Sequence, residues 1–514
     1  MRALLRWFSL LLLFGPGPSL ADDEIGVAET LVERAGSCSV TVCIPGRYEL
    51  HYVRNRDFAI DANGTNHGVV DVGYQRWRIR PRVTFTDKLF MEMEADLVTG
   101  QVFGDQAATG GEYLHEEDAW APPAPSDLRQ FYVSWESPIG LFRIGHQTSH
   151  YGLGLVANNG DDEAHDVFDI PTDGDIVERA LFATKPLKAF MDGSVADALI
   201  LGGGFDLVFR DENAVLMDGD LAMQGVVSLM YQTEPLTAGV YMAFRNQEDD
   251  DGDTLTAQAY DLFVKWVHEF EEQNIRLTLA AEMALIDAHT NRAQYEQAPE
   301  GIDVLGMGAV LQTRLEWLDL GLETRLEVGF ASGDNNRNDS LSRSFSFDPG
   351  YHVGMILFQE VMARISAHTV SLVSDPEISG APPKGFELIA TEGSVTNALY
   401  LNPIVRWSST RGVGIDFGVL AAWAAADVID PWGSAQNGGY NYNYLGKAMD
   451  DTSRYLGTEI DAAVHYGYTV RDAVRLRLGV AVGAFFPGSA FEAPEGGKSL
   501  SEVYKIRTQF GIDW

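Results

Sequence analysis

Two cysteines in 514 residues, 37 lysines and arginines against 74 aspartates and glutamates, and no long apolar run beyond the N-terminus mark what this chain lacks. Each scarcity removes a class of protein. At a formal charge of −37 the chain has no basic surface to spare for a phosphate backbone, so no nucleic-acid partner is expected. A helical membrane protein needs runs of roughly 18 or more apolar residues, and none follows the first residues. A metal site at Cys38 and Cys43 would need further ligands, and none stand beside them. In an oxidising compartment this close pair reads as a disulfide closing a short loop. Catalytic signatures are missing as well: there is no nucleophile elbow, no His-x-x-x-His and no phosphate-cradling glycine loop. The histidines, such as His51, His146, His165 and His465, are scattered over different segments as wall or loop residues. No enzyme and no cofactor are expected.

What is present begins with a secretory signal over residues 1–21. Arg2 and Arg6 precede the apolar stretch Trp7 to Phe14, a Gly/Pro break follows, and Ser19-Leu20-Ala21 forms a small-x-small cleavage site. Removal of the two arginines takes the formal charge from −37 to −39. So acidic a chain could be disordered, but 46% hydrophobic and 11% aromatic residues are too many for that. The acid must sit in solvated loops. Residues 22–46 are too short for a domain and read as a periplasmic or lumenal lead-in, with Glu29 to Arg34 expected to form one or two helical turns before the cysteine loop.

From Arg47 to Trp514 the sequence repeats segments of about ten residues with period two, joined alternately by short and long connections. Short connections fall near Thr86 to Lys88, Ser137 to Gly140, Leu187 to Ala196, Glu234 to Leu236, Glu271 to Asn274, Leu318 to Asp319, Arg411 and Arg471 to Asp472. The long ones carry the acid, Gly, Pro and Asn, among them Gly100 to Asp127, Gly152 to Glu178 and Gly333 to Gly393. This rhythm predicts an all-β transmembrane antiparallel barrel of about 18 strands, or 16 if two weak segments do not form, with short periplasmic turns, long extracellular loops and both termini periplasmic. A soluble β-sandwich alternates in the same way, but its strands are shorter, with a mode of about 5 or 6 residues. Trp77, Trp135, Trp266, Trp317 and Trp407 near segment ends are placed as interfacial girdle residues.

The hairpin from Gln75 to Leu97 shows both faces. A turn at Thr86, Asp87 and Lys88 that pairs Phe85 with Leu89 puts Trp77, Ile79, Pro81, Val83 and Phe85 on one side. It sets Arg82 against Glu92, Arg80 against Glu94 and Arg78 against Asp96 on the other. One face suits lipid and the other water.

The last segment is sharper still. Tyr504, Ile506, Thr508, Phe510, Ile512 and Trp514 alternate with Lys505, Arg507, Gln509, Gly511 and Asp513 to the final residue. Here the sequence resembles the bacterial outer-membrane β-barrel superfamily, porin-like members included, whose last strand ends in an aromatic, usually Phe. That resemblance implies that Tyr504, Ile506, Phe510, Ile512 and Trp514 are an insertion signal read by the barrel-assembly machinery, with Trp in place of Phe. It also implies an outer-membrane location among lipid and lipopolysaccharide. Arg143-Ile144-Gly145-His146-Gln147 with Tyr151-Gly152-Leu153-Gly154 is similar to a strand-end pattern of several porin-like barrels, with His146 where they carry Arg.

Closure of such a barrel brings the last strands beside the first. Arg475, Arg477, Lys505 and Arg507 then join Arg76, Arg78, Arg80 and Arg82 in a basic arc of the lumen, while Glu92, Glu94, Asp96, Glu316, Glu323 and Glu327 supply acid to the wall. Such charges either pair to satisfy a polar lumen or set a transverse field for solutes. Gly152 to Glu178 and Gly333 to Gly393 are candidates for an inward-folded loop, the second with a short helix near Met355 to Ile365. Asp249, Asp251 and Asp253 around Gly252 could offer oxygens to Ca²⁺, although the spacing is short and a solvated hairpin tip fits as well. The function expected is a passive channel for small polar or charged solutes, with weak cation preference from the acidic loops. A scaffold barrel sheathing a periplasmic partner such as a cytochrome, suggested by the cysteine lead-in, is the alternative, and a lipid-acting barrel enzyme is a third reading.

Overall fold

A computed structural model describes residues 31–35, 38–106, 114, 127–161, 168, 174–294, 298–336, 339–379, 384–430, 442–448, 454–470 and 473–514. The signal segment and His165 lie outside them. Eighteen strands form the wall: β1 (Gly46–Asn55), β2 (Asp71–Ile79), β3 (Leu89–Gly104), β4 (Asp127–Ser137), β5 (Gly140–Thr148), β6 (Ile176–Thr184), β7 (Leu199–Asp211), β8 (Leu221–Gln232) and β9 (Leu236–Glu248). They continue as β10 (Thr254–Phe270), β11 (Ile275–Thr290), β12 (Ile302–Trp317), β13 (Leu322–Ala331), β14 (Ala398–Ser408), β15 (Val413–Ala424), β16 (Tyr455–Val470), β17 (Val474–Pro487) and β18 (Val503–Asp513). Each strand is antiparallel to the next, and β18 pairs with β1, so the sheet has no free edge. Among the described residues the turns fall where the charge and Gly/Pro rhythm predicts them, and the wall has 18 strands; the turn expected at Arg471 and Asp472 lies outside those residues.

Closure is completed at the last residue. Gly46 and Trp514 exchange two backbone hydrogen bonds of 2.9 Å, and a Cβ on Gly46 would lie 2.5 Å from the indole. Along β18 Tyr504 and Ile506 are exposed outward while Lys505 and Arg507 are buried inward, the alternation that the period of two requires. Leu262, Val264, Leu305, Met307, Leu311, Leu401 and Val482 continue the apolar exterior. Trp266 pairs with Leu236, Trp317 with Leu322, and Leu322 in turn with Trp407, so these indoles gather at the short-turn rim. No helix among the described residues is long and apolar enough to cross a membrane.

Three details differ from expectation. The first hairpin pairs Thr86, not Phe85, with Leu89, and Pro81, lacking an N–H, interrupts the strand before it resumes at Arg82–Thr86. The cross-strand charges survive because the irregularity is confined to Phe85: Thr84 faces Phe90, Arg82 faces Glu92 and Arg78 faces Asp96 in one register, and the next shift comes only beyond Arg78. The described part of the lead-in is extended where helical turns are expected. Leu31–Ala35 pairs with Cys38–Cys43, and that second segment pairs with Arg82–Thr86. The physical reason is an edge: β1 ends level with Ile79, so Arg82–Thr86 overhangs the rim and would leave its backbone groups unpaired. Third, Cys43 is a free cysteine, which overturns the loop-closing disulfide. Cys38 and Cys43 are the two ends of one strand, which sets their Cα atoms roughly 16 Å apart, beyond disulfide reach.

Inside the barrel, towards the long-loop rim, lies a hydrophobic core contributed largely by loops. Phe345, Phe347, Met355, Ile356, Leu357, Phe358 and Ile365 pack against inward wall residues. Several of those wall residues are alanines, among them Ala284, Ala331, Ala398, Ala422, Ala463 and Ala481, whose small side chains leave room for chain within the lumen.

Candidate functional site

The basic arc forms where barrel closure predicts it, and it is crossed by acid. In β2 and β3 the Arg78 guanidinium holds the Asp96 carboxylate through two hydrogen bonds of 2.7 and 2.8 Å, and Arg76 stands 3.4 Å from the same carboxylate. Arg80 and Arg129 both bind Glu94, and Arg82 lies 3.7 Å from Glu92. On the other side of the seam Arg477 bridges Glu49 and Asp513, Arg475 lies opposite Asp513 in register, and Arg507 is buried in the wall. Lys505 donates to Glu360 at 2.6 Å and to the Met355 carbonyl at 3.1 Å. Arg47 and Arg129, which belong to the arc, escaped the sequence reading; both stand at inward positions just inside strand ends.

The other acids do not join this arc. Glu316 is 3.9 Å from Arg276, Glu323 is 3.6 Å from Arg314, and Glu327 accepts from Gln312 at 2.9 Å and from Tyr400 at 2.7 Å. They satisfy the wall on β12 and β13. Asp249, Asp251 and Asp253 do not converge on a cation. Asp249 is 2.8 Å from Arg292, Lys384 binds Asp253, and Asp251 accepts the Asp253 backbone N–H, so protein cations already neutralise two of the three.

The described parts of both candidate loops fold inward, and each is held by one wall glutamate. Glu282 on β11 accepts the backbone N–H groups of Leu153 and, at 2.9 Å, Leu155. A Cβ on Gly152 would lie 2.1 Å from the Glu282 carboxylate, so glycine permits the approach. Tyr151 stacks on Tyr241 at 4.9 Å and completes that anchor. Glu459 on β16 accepts from Met355, and at 2.8 Å from both Ile356 and Leu357. These amides open a helix over residues 357–374, π-helical as far as Met362 and then α-helical, longer than the short helix expected there. A carboxylate at a helix start satisfies N–H groups that have no intrahelical acceptor and opposes the helix dipole. The two loops also meet: Asp348 accepts from Asn158 at 3.2 Å, and its own N–H donates to the Leu155 carbonyl at 2.9 Å.

Between these loops and β6 to β12 is a cavity of about 680 Å³. Leu155, Val156, Leu255, Ile286 and Phe347 form an apolar part of its lining, and Asp175, Glu212 and Asp348 an acidic one. The ligating oxygens of these three acids lie within 4.8 Å of one another, a spacing that a hard cation or a cationic group could bridge. Of the three, Asp348 is buried, Asp175 half-buried and Glu212 exposed towards the cavity. Enclosure and the neighbouring Asp211 push its carboxyl up to about 7, while Arg245 pulls the other way. Enclosure, then the charge of its neighbours, also holds Asp175 and Asp348 well above the usual carboxylate range. Only Asp175 stood out in the sequence, as one acid in a loop rich in them; the other two reach it from connections far apart in the chain.

At the opposite wall the first inward loop places Asp161 among Arg47, Arg78, Arg80 and Arg129. Burial alone would raise its carboxyl, but the four guanidinium groups outweigh this and hold it well below the usual range. One loop thus runs from an acidic cluster, where Asn158 contacts Asp348, to a basic one three residues later.

No protein-family model matches the sequence, and no curated protein matches it. Among solved structures, the barrel is similar to Acinetobacter baumannii OccAB1 (9% identity, 95% of this chain and 99% of that chain, TM-score 0.48). It is also similar to Pseudomonas aeruginosa OpdK with vanillate (11%, 92% and 99%, TM-score 0.47) and to the outer membrane protein OprD of Pseudomonas aeruginosa (9%, 95% and 97%, TM-score 0.45). Likeness at this level is one of overall architecture and brings no residue of those proteins into correspondence with this chain. The wall itself is a closed antiparallel barrel of 18 strands, apolar outside and charged within.

Proposed function

We propose that this barrel is an outer-membrane channel for the passive passage of small polar or charged solutes, with its short turns and both termini on the periplasmic side. The observation that carries this reading is the lumen itself: a charged wall narrowed by two anchored loops around a cavity of about 680 Å³. The acidic cluster faces a basic arc across that narrowing, an arrangement that orients dipolar solutes and sets ion preference. The lipid-facing exterior would meet phospholipid and lipopolysaccharide, and β18 would be read by the barrel-assembly machinery. A sheath around a periplasmic partner such as a cytochrome is less well supported, because the helix over residues 357–374 occupies space that a threaded chain would need. No bound metal or cofactor enters this reading.

Purified protein inserted in planar bilayers should give stepwise conductance in KCl. An intact, inserted barrel that passes no current would overturn the proposal.

A further inference from the structure

The glutamate that anchors the first inward loop has a second acid beside it. Asp261 on β10 stands opposite Tyr241 of β9 and Ala284 of β11, and Glu282 stands opposite Phe263, so the two acids are diagonal neighbours on the inner face of β10 and β11. Both side chains are buried, and their carboxyl groups are hydrogen-bonded to each other. Such a bond needs a proton, because two carboxylates offer acceptors and no donor. Among the described residues no N–H or O–H group donates to either oxygen of Asp261, and no lysine, arginine or histidine forms an ion pair with either acid.

The groups that face the pair are phenols. Tyr241 lies across from Asp261 on β9, Tyr151 comes from the first loop, and Tyr351 approaches Glu282 from the second. The Tyr151 hydroxyl is buried without a hydrogen-bond partner, and its ring is fixed between Tyr241 and Phe263. Charged groups stand behind these rings: Arg179, Asp206 and Asp175 beyond Tyr241, and Arg325 and Glu327 beyond Tyr351. Arg179 is held by Asp206 through two hydrogen bonds of 2.7 Å, and on β12 the residue opposite Glu282 is the uncharged Val310. With one proton between the two acids, Glu282 keeps the negative charge that accepts the Leu153 and Leu155 N–H groups. Without it, two negative charges lie side by side in an enclosed site with no cation to offset them.

We propose that Asp261 and Glu282 share one proton and form a latch on the first inward loop: the shared proton keeps Glu282 under Leu153 and Leu155, and its loss in alkaline solution drives the two carboxylates apart and frees the loop. The part set free is the segment from Tyr151 towards Asp161, which also carries Asn158 against Asp348.

Asp261→Asn replaces the shared proton by an amide N–H that donates to Glu282 at every pH. Hydrogen exchange at the Leu153 and Leu155 amides is compared between this variant and the unmodified protein at the same pH, so that the intrinsic pH dependence of exchange cancels, as does every titration the two share, that of Glu212 included. At about pH 6 the two should agree within about twofold, and at about pH 9 these amides should exchange about tenfold or more faster in the unmodified protein. The amides of residues 355–357, held by Glu459, should show no such difference and serve as the internal reference. Heat-modifiable migration on gels verifies that each barrel is closed; if Asp261→Asn does not close, Asp261→Ser, whose hydroxyl also donates, takes its place. Infrared spectra add a second readout, because the C=O stretch of a protonated carboxyl is separate from that of a carboxylate. The unmodified protein at about pH 6 should show one protonated carboxyl more than the variant and lose it by about pH 9. An exchange ratio that stays within about twofold at both pH values, or no extra protonated carboxyl at about pH 6, would overturn the latch. Neither readout needs conduction, so the latch and the channel reading stand or fall separately.

Discussion

Removing the carboxylate of Glu459 leaves the backbone N–H groups of Met355, Ile356 and Leu357 without their acceptor inside the barrel. Each orphaned buried group costs about 1–3 kcal/mol, so Glu459→Ala should loosen the start of the helix while the wall stays closed. Hydrogen exchange reads this directly: the amides of residues 355–357 should exchange about 100-fold faster or more. Glu323→Ala is the comparison, since its contact with Arg314 is a partly exposed pair worth about 0–1 kcal/mol, and it should leave those amides unchanged. Equal protection in Glu459→Ala would mean that the glutamate does not anchor the loop. The contrast also marks what a sequence can disclose about single residues. Arg78 and Asp96 could be paired from the page because a tight turn sets the register of two neighbouring strands. Glu459, Glu282 and Asp161 could not, because their partners are loop atoms that no periodicity locates.

Elements follow the same division. The wall strands were legible because a lipid-facing side and a water-facing side impose a period of two on every one of them. The segment Cys38–Cys43 was not, because its conformation is decided by the open edge of Arg82–Thr86 and not by its own pattern. The helix of residues 357–374 was half legible, since a short helix near Met355 to Ile365 is expected from the sequence but nothing said that almost all sides would be covered. Its place inside the lumen yields a prediction at this scale. Replacing residues 357–374 by a short Gly/Ser linker should leave the wall intact, because β13 and β14 flank the loop with a continuous ladder from Leu322 opposite Trp407 to Ala331 opposite Ala398. Single-channel conductance should then rise by about twofold or more. An unchanged conductance in a properly closed barrel would place the ion path away from the helix.

For the whole molecule the question is which of two opposed charge sets governs passage, and pH separates them. The arginines of the arc stay charged at any working pH. The acidic cluster does not: Glu212 titrates at about 7, and Asp175 and Asp348 are held above the usual carboxylate range by enclosure and by one another's charge. An acid whose folded pKa is raised stabilises the fold relative to an ordinary one below its unfolded value, near 4.5 for Glu212, and loses that contribution as pH rises through about 7. Ionisation therefore has two effects in the same direction on the pore. It adds negative charge to the cavity, and the mutual repulsion works against the packing of Asp348 on Asn158 that joins the two inward loops. Reversal potentials across a KCl gradient should accordingly move towards cation preference between pH 6 and pH 9, with the ratio of potassium to chloride permeability rising by about twofold or more. Glu212→Gln should remove much of this rise, because it takes away the group whose titration falls within the window. A movement towards chloride, or a rise of equal size in Glu212→Gln, would mean that the basic arc or the outer loops control selectivity and that the acidic cluster is spectator charge.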